Sequence, residues 1–321
     1  MTAIGSGSPS IPKTIAPVDR ATKPTIKTNR DSPNDMSTDV SLTTRAREAR
    51  RLALLAIHAA GSGHPGGALS CLDLLTALYK RMRFDPADPQ LPERDRLILS
   101  KGHSAPALYA AAAVAGLCSP DDLQGLRKLG HPLQGHPHVR TTPWVEASTG
   151  SLGHGFSAAL GMAMGLRHQG IDARVYAILG DGEMQEGETW EALMAAAHFG
   201  LGRLCAILDY NKFQSDDTIA RVMAIEPLAD KIRSFGWRLE EIDGHDFGQI
   251  DAALNRAEQI NDTPTFIIAH TLKGKGVEFM EGRPDWHGSL KMSDADLELS
   301  LRQLGATADE IQRYLHGHWS N

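Results

Sequence analysis

Apolar residues recur with the spacing of an α-helix from Leu42 onward, and helices of this kind alternate with short, almost wholly apolar runs. Leu52, Leu55 and Ala59 fall on one helical face, and Gly61-Ser62-Gly63 ends that helix. Strands are predicted over residues 96–100, 174–179, 204–208 and 265–269. Because these runs carry little polar alternation, helices should cover the sheet on both sides, which is typical of a parallel sheet.

Further helices are predicted between the strands, over residues 69–83, 105–116 and 186–200. The last of these places Trp190, Leu193 and Met194 at core spacing. The alternation of strands and helices predicts an α/β fold, a doubly wound and mostly parallel sheet with helices on both faces.

The domain organisation follows from where the periodic pattern starts. Residues 1–41 are rich in Ser, Thr, Pro and Lys and are predicted to form a disordered tail, and residues 42–321 are predicted to form one domain. Near the carboxyl end, Ser293 with Asp296, and Thr307 with Glu310, have the spacing of helix N-terminal capping pairs.

Charge and cysteine content narrow the functional classes. The net charge is −6 and the pI is about 6.2, so the chain has no basic surplus for nucleic acid or an anionic membrane surface. The sequence contains no apolar run of about 18 residues, so a membrane span is not predicted. Cys71, Cys118 and Cys205 form no CxxC motif and are interpreted as reduced thiols of a cytoplasmic protein.

Candidate chemistry follows two neighbouring strands. Gly180-Asp181-Gly182-Glu183 comes directly after one strand, and Asn211 follows the next strand, thirty residues beyond Asp181. Ligands bind at the carboxyl ends of strands in such sheets, so a carboxylate and an amide oxygen are expected there together. These oxygens suit Mg²⁺ or Ca²⁺. A Gly-Asp-Gly sequence on its own, however, is more often a simple turn.

This arrangement resembles the Gly-Asp-Gly … Asn signature of thiamine-diphosphate enzymes. Eight sequence blocks in the same order extend the resemblance over about 250 residues and narrow it to the amino-terminal third of transketolases. The blocks are residues 61–66, 99–103, 135–137, 149–155, 180–187, 243–246, 273–276 and 287–288.

The resemblance implies a role for each matched residue. The metal would be held by Asp181, Asn211 and the backbone carbonyl of Phe213. The cofactor would contact His103, Gly150, Ser151, Leu152, Gly180, Asp181, Gly182, Glu183, Asn211 and His287. The catalytic histidines would be His64, His103, His136 and His287, since imidazole suits proton transfer near pH 7. Glu186 and Glu191 would be carboxylates at the subunit interface, although exposed helix-surface glutamates are common.

The resemblance also implies an activity and a partner. The chain is expected to be the amino-terminal subunit of a two-chain transketolase, transferring a two-carbon ketol unit from a ketose, often a phosphate, to an aldose. A second chain would carry the pyrimidine-binding domain, giving an α₂β₂ assembly. The α subunit of a 2-oxo acid decarboxylating dehydrogenase and a non-catalytic protein on the same fold remain alternatives.

Two departures from the family pattern loosen the substrate assignment. His154 stands where many members have glutamine, and Ser289-Leu290-Lys291 follows His287-Gly288 where the family often has a proline-containing segment. The Lys273-Gly274-Lys275-Gly276 turn could bind phosphate or could simply be solvated.

Overall fold

The computed structural model describes residues 38–288 and 291–320, which fold around one five-stranded sheet. The helices are α1 (Thr38–Ala60), α2 (Pro65–Ser70), α3 (Leu72–Arg81), α4 (Ala105–Val114), α5 (His154–Gln169), α6 (Gly187–His198), α7 (Ile219–Val222), α8 (Leu228–Ser234), α9 (Phe247–Glu258), α10 (Asp294–Gln303) and α11 (Ala308–Leu315). The strands are β1 (Arg96–Leu99), β2 (Val175–Gly180), β3 (Leu204–Tyr210), β4 (Phe213–Gln214), β5 (Asp217–Thr218), β6 (Arg238–Asp243) and β7 (Thr265–His270).

The strand order in the main sheet is β1-β2-β3-β7-β6, and every neighbouring pair is parallel. The small hairpin of β4 and β5 is antiparallel and lies outside this sheet. Because all five main strands run the same way, their carboxyl ends meet at one edge. From β1 to β3 the chain adds each strand on the same side of the sheet, and from β6 to β7 it moves back in the opposite direction. This change of direction gives the doubly wound topology that the pattern predicted.

Successive residues of β2 point to two separate hydrophobic cores. Ala177 and Leu179 pack with α5, α6 and α8, whereas Tyr176 and Ile178 pack on the side of α1, α3, α4 and α9. All six residues of β2 and all seven of β3 are buried. The absence of polar alternation in these runs therefore reflects helices on both faces, as predicted.

Some predicted boundaries differ from the structure. Helix α1 begins at Thr38, four residues before the predicted start at Leu42, and the predicted tail over residues 1–37 lies outside the described residues. The predicted helix over 69–83 is divided at Cys71 into α2 and α3. Strand β6 was not predicted, because most of its residues are polar and only Ile242 is buried.

Helix α6 differs from the prediction in what it buries. Leu193 is fully buried, but Met194 is 59 % exposed. The prediction that Met194 lies in the core is therefore wrong for the isolated chain. Phe199, just after the helix, is also exposed. The structure therefore leaves apolar surface open on this side.

The carboxyl-terminal helices pack back onto α1. The predicted capping pairs are confirmed, since Ser293 and Thr307 each accept a hydrogen bond from the backbone N–H three residues later. Arg51 of α1 donates to the carbonyl of Leu304 at 3.2 and 3.0 Å and pairs with Glu310 at 3.2 Å. Within the described ranges, the helices include none with the length and apolar character needed to cross a bilayer.

Candidate active site

Chemistry-bearing residues gather at the carboxyl edge of the sheet. Lys101 follows β1, Asp181 follows β2, Asp209 lies near the end of β3, and Lys273 comes shortly after β7. All four side chains are buried. Helix α2 and the loop before it also lie over this edge, and they place His64 there.

Asp181 is a buried carboxylate held by two backbone groups. The N–H of Gly182 donates to its Oδ1 at 2.9 Å, and the N–H of Lys212 donates to its Oδ2 at 2.6 Å. Lys212 itself has a φ of 70°, in the left-handed region that non-glycine residues seldom adopt. Burial raises the pKa of Asp181 to about 7, and the neighbouring Asp209 adds to this effect. A carboxylate in this position favours a cation beside it.

Asn211 lies beside the Asp181 loop with its amide orientation fixed. Its Nδ2 faces Ser70 Oγ and Asp209 Oδ2, both at 3.4 Å, and its Oδ1 accepts from the N–H of Phe213 at 3.1 Å. An asparagine amide oxygen is one of the oxygens that a hard divalent cation accepts as a ligand.

Beneath these residues lies a buried polar network centred on Asp209. Lys101 Nζ donates to Asp209 Oδ2 and, at 3.0 Å, to the carbonyl of Gly67. Ser70 and Thr271 donate to the same carboxylate. Asp209 thus has its charge paired and its oxygens occupied, as a buried carboxylate requires, because one without partners would be very unfavourable.

The carboxylate of Glu183 faces the protein interior. It accepts hydrogen bonds from Ser100 Oγ, from Gly153 N–H at 2.8 Å and from Gly180 N–H at 3.1 Å. Glu183 is only 1 % exposed. Glu183 therefore joins the loop after β2 to the glycine-rich turn before α5. Its hydrogen bonds in this structure are to the protein, and the predicted contact with the cofactor stays a prediction.

Three of the four predicted histidines lie together. The rings of His64, His103 and His287 are mutually separated by 5.3, 6.0 and 5.7 Å between centroids. Burial, followed by the charge of nearby Arg127, lowers the pKa of His64 to about 4. Burial and then Lys273 lower the pKa of His287 to about 3, and burial also lowers that of His103. All three imidazoles are therefore neutral at pH 7.

The fourth histidine, His136, is more exposed and lies against the glycine-rich turn. A Cβ atom on Gly150 would stand 3.1 Å from the His136 ring, and Gly150 has a φ of 154°, so glycine suits this close approach. Burial, and then Arg127, lowers the pKa of His136. Ser151 is exposed and Leu152 is half-buried, which leaves this part of the turn accessible to a ligand.

Lys273 is a buried cation whose contacts, among the residues that the structure describes, are with a histidine and an aromatic ring. Its Nζ lies 3.0 Å from His287 Nδ1 and 5.4 Å from the centre of the Phe213 ring. Burial, and then the charge of Lys101, lowers its pKa to about 8. A lysine in such surroundings favours an anion, because phosphate oxygens would compensate its desolvation.

The two glutamates predicted at a subunit interface lie on the outer side of α6. Glu186 is the N-cap residue of that helix, and both Glu186 and Glu191 are exposed. Met194 continues the same exposed surface. Their exposure is compatible with an interface, and the role itself stays a prediction.

The residues that are present fit a divalent cation and a diphosphate. The oxygens of Asp181, Asn211 and the Phe213 carbonyl form a hard donor set, and Lys273 supplies a cation for an anionic group. Within the described part of the chain, the buried atoms His64 Nδ1 and Thr149 Oγ1 have no hydrogen-bond partner, as expected around a ligand pocket.

Part of this site was not predicted from the sequence. Asp209 is absent from the predicted residues, although a charged residue inside an otherwise apolar strand is a signal that it has a buried partner. The sequence indicated Lys101 only as part of a matched block, and it did not distinguish a phosphate ligand from a solvated turn at Lys273. Arg127, which lies near His64 and His136, belongs to none of the matched blocks.

Comparison with known proteins adds an independent view of this chain. The family described as "Transketolase, thiamine diphosphate binding domain" matches residues 42–312. The 6-deoxy-6-sulfo-D-fructose transketolase subunit of a Clostridium species is 42 % identical over 266 residues, covering 83 % of this chain and 96 % of that protein.

A second relative and a solved structure agree with this. An apulose-4-phosphate transketolase subunit from Phocaeicola vulgatus is 36 % identical over 278 residues, covering 86 % of this chain and 98 % of that protein. The transketolase of Leishmania mexicana superposes with a TM-score of 0.78 at 28 % identity, covering 87 % of this chain and 44 % of the other. The chain thus spans less than half the length of that structure.

Proposed function

The chain belongs to the transketolase family, within its thiamine-diphosphate-binding part, and from this premise we propose that it is the amino-terminal subunit of a two-chain transketolase. The observation that carries the proposal is that buried Asp181 and Asn211 lie at the same sheet edge as the cluster of His64, His103 and His287. The relatives that match almost end to end are themselves named as subunits.

The cofactor would be held by residues already in place. Asp181, Asn211 and the Phe213 carbonyl would bind Mg²⁺ or Ca²⁺, and Lys273 and His103 would face the diphosphate. Backbone groups of residues 150–152 would lie against the aminopyrimidine. When bound, thiamine diphosphate supplies the nucleophilic carbon for ketol transfer.

The protein's own contribution to the chemistry would come from its neutral imidazoles. His64, His136 and His287 would hydrogen-bond the sugar's hydroxyl and carbonyl oxygens and move protons among them. A neutral imidazole can accept a proton and return it, which an imidazolium cannot do. Burial, followed by the charges of Arg127 and Lys273, lowers their pKa values and keeps them in this form at pH 7.

The substrate we propose is a ketose with an anionic group, often a phosphate. The two subunit relatives are named for a sulfonated sugar and a sugar phosphate, so both names specify anionic sugars. The transfer of the two-carbon unit to an aldose conserves the number of carbons and needs no oxidant.

The partner we propose is a second chain with the pyrimidine-binding domain, in an α₂β₂ assembly located in the cytoplasm. Exposed Met194, Phe199 and the nearby Glu186 and Glu191 support a surface that another subunit covers. An apolar surface of this kind is usual where one half of a stable interface is uncovered.

The test is reconstitution. Calorimetry would first measure binding of thiamine diphosphate with Mg²⁺ to the chain and to Asp181→Ala. Ketol transfer from a ketose phosphate would then be measured with the chain alone and with the subunit encoded by a neighbouring reading frame. We expect weak binding and no turnover alone, and turnover with the partner. Release of CO₂ from 2-oxo acids, or unchanged affinity in Asp181→Ala, would contradict the proposal.

A further inference from the structure

Arg127 has an unusual backbone for a residue with a long side chain. It follows the short turn Pro120–Gly125, and its φ of 61° lies in the left-handed region that non-glycine residues seldom adopt. Its N–H donates to the carbonyl of Leu133 at 2.9 Å, which closes a surface loop with Leu129 fully exposed at its tip. Such a conformation persists where the surrounding structure requires it.

The side chain of Arg127 turns inward and contacts two histidine-bearing loops. Its Nη1 donates to Ser62 Oγ at 2.6 Å, two residues before His64. The other side of the guanidinium lies against Gly135, one residue before His136, where an added Cβ would stand 2.9 Å from Nε. A single guanidinium therefore spans the gap between these loops, and glycine at 135 leaves the room for it.

The guanidinium of Arg127 forms no ion pair with any residue of the described ranges, and its buried Nε, like that of Arg50, has no hydrogen-bond partner there. Arg50, by contrast, pairs with Asp73 at 2.7 Å. Leaving a half-buried guanidinium without a carboxylate costs free energy, so its position requires a reason other than ion-pair stability.

We propose that Arg127 is a positioning residue, whose guanidinium fixes the His64 and His136 loops relative to one another and places a positive charge beside both imidazoles. The role in sugar recognition rests on the proposed function, because it is there that these histidines contact the sugar. A cation next to an imidazole disfavours its protonated form. Arg127 thus holds both rings in place and in the neutral state that accepts hydrogen bonds.

The other charged groups near these rings provide internal controls. His64 is also affected by His136, Lys101 and Lys273, and all of these act in the same direction on its pKa. Burial, followed mainly by Lys101 for His103 and by Lys273 for His287, lowers the pKa values of the other two histidines, and Arg127 hydrogen-bonds neither of their rings among the described residues. Removal of the Arg127 charge should therefore change the pKa values of His64 and His136 and leave those of His103 and His287 in place.

The experiment is an NMR titration of histidine-labelled chain, with resonances assigned from His64→Gln and His136→Gln. In Arg127→Gln, the pKa values of His64 and His136 should rise by roughly 0.5–1 unit, while those of His103 and His287 stay in place. Arg127→Lys should keep most of the charge effect. Arg140→Gln, which removes an exposed arginine of the same segment, should move none of them.

Two outcomes would overturn the proposal. One is unchanged titration of His64 and His136 in Arg127→Gln, and the other is an equal shift of all four histidines, which would indicate general loosening. If Arg127→Gln does not fold, Ser62→Ala is the second variant, because it removes only the acceptor of the guanidinium. It must change the chemical shifts of the same two histidines. In the reconstituted enzyme, Arg127→Lys should raise KM for the ketose at least several-fold.

The same variants separate this proposal from the proposed function. Thiamine diphosphate with Mg²⁺ should bind Arg127→Gln within about twofold of the unmodified chain, because Arg127 contacts none of the cation or diphosphate residues. Failure of the unmodified chain to bind the cofactor would count against the proposed function alone. The histidine titrations would still decide the role of Arg127.

Discussion

Lys273 Nζ lies 3.0 Å from Nδ1 of His287, fourteen residues further along the chain. Lys273 is fully buried, and the neutral imidazole is its nearest polar contact among those described. A cation and a neutral ring placed side by side in this way favour an anion beside them.

Replacement of Lys273 by methionine should weaken binding of thiamine diphosphate with Mg²⁺ by roughly 10- to 100-fold, because a charge-assisted contact is lost. It should also stabilise the ligand-free chain by about 1 kcal/mol, since a desolvated cation is removed. Calorimetry and urea unfolding would measure the two effects. Lys275→Gln, in the same turn, is the control, and equal effects in both variants would contradict this prediction.

The pKa of Asp181, raised to about 7, predicts a pH dependence of cofactor binding. The cation must compete with a proton for this carboxylate, so affinity should fall as pH falls through 7. Between pH 8 and pH 6 the loss should be about tenfold. Titrations of thiamine diphosphate with Mg²⁺ at several pH values would measure it, and Asp181→Asn should bind weakly at every pH. A flat profile in the unmodified chain would argue against Asp181 as the proposed metal ligand.

Glu183 and Glu191 should differ sharply in their effect on stability. Glu183→Ala leaves three donors in the interior without an acceptor and should lower the free energy of unfolding by about 2–4 kcal/mol. Glu191→Ala, on the exposed side of α6, should change it by less than about 0.5 kcal/mol in the isolated chain. Thermal unfolding of both variants tests this, and similar losses would refute the scaffolding contact of Glu183.

The neutral histidines make the ligand-free chain sensitive to acid. The pKa values of His64 and His287 are lowered to about 4 and about 3, so the unfolded chain binds protons more readily than the folded one below pH 6.5. Stability that is present above about pH 6.5 should therefore be lost as pH falls toward 4 and 3, by on the order of 1–3 kcal/mol for each residue.

Urea unfolding between pH 7 and pH 4 would measure this loss. The double variant His64→Gln, His287→Gln should show a shallower decline than the unmodified chain. His154→Gln is the matched control, because that ring is 67 % exposed and pairs with Glu188 at the surface. Identical slopes in all three proteins would show that the histidine cluster does not control acid stability.

The sequence predicted those parts of the fold that depend on burial on both sides of a strand. The runs at β2 and β3 have almost no polar positions, so their parallel pairing and the meeting of Asp181 with Asn211 at one edge could be inferred. Strand β6 escaped prediction because an edge strand needs to bury only part of itself, and Ile242 is its one buried residue.

Side-chain environment was harder to predict than position. A lysine in a Lys-Gly-Lys-Gly turn is ordinarily solvated, and only the packing of α2 and the His287 loop over Lys273 buries it. The inward path of Arg127 likewise depends on a left-handed backbone that no local pattern indicates. Met194 shows the opposite error, since helical spacing alone does not distinguish a buried core position from an exposed apolar one.

Arg51 and Leu304 are joined across 253 residues of chain, and this has a consequence during protein synthesis. Helix α1 leaves the ribosome among the first described elements, but the acceptors of its guanidinium are translated among the last. Helix α1 can pack against α3 and α4 as soon as these are made, but the side chain of Arg51 lacks its acceptors until α10 and α11 are translated. Ribosome-bound chains halted before residue 304 should therefore be cut by protease near Arg51, and completed chains should resist.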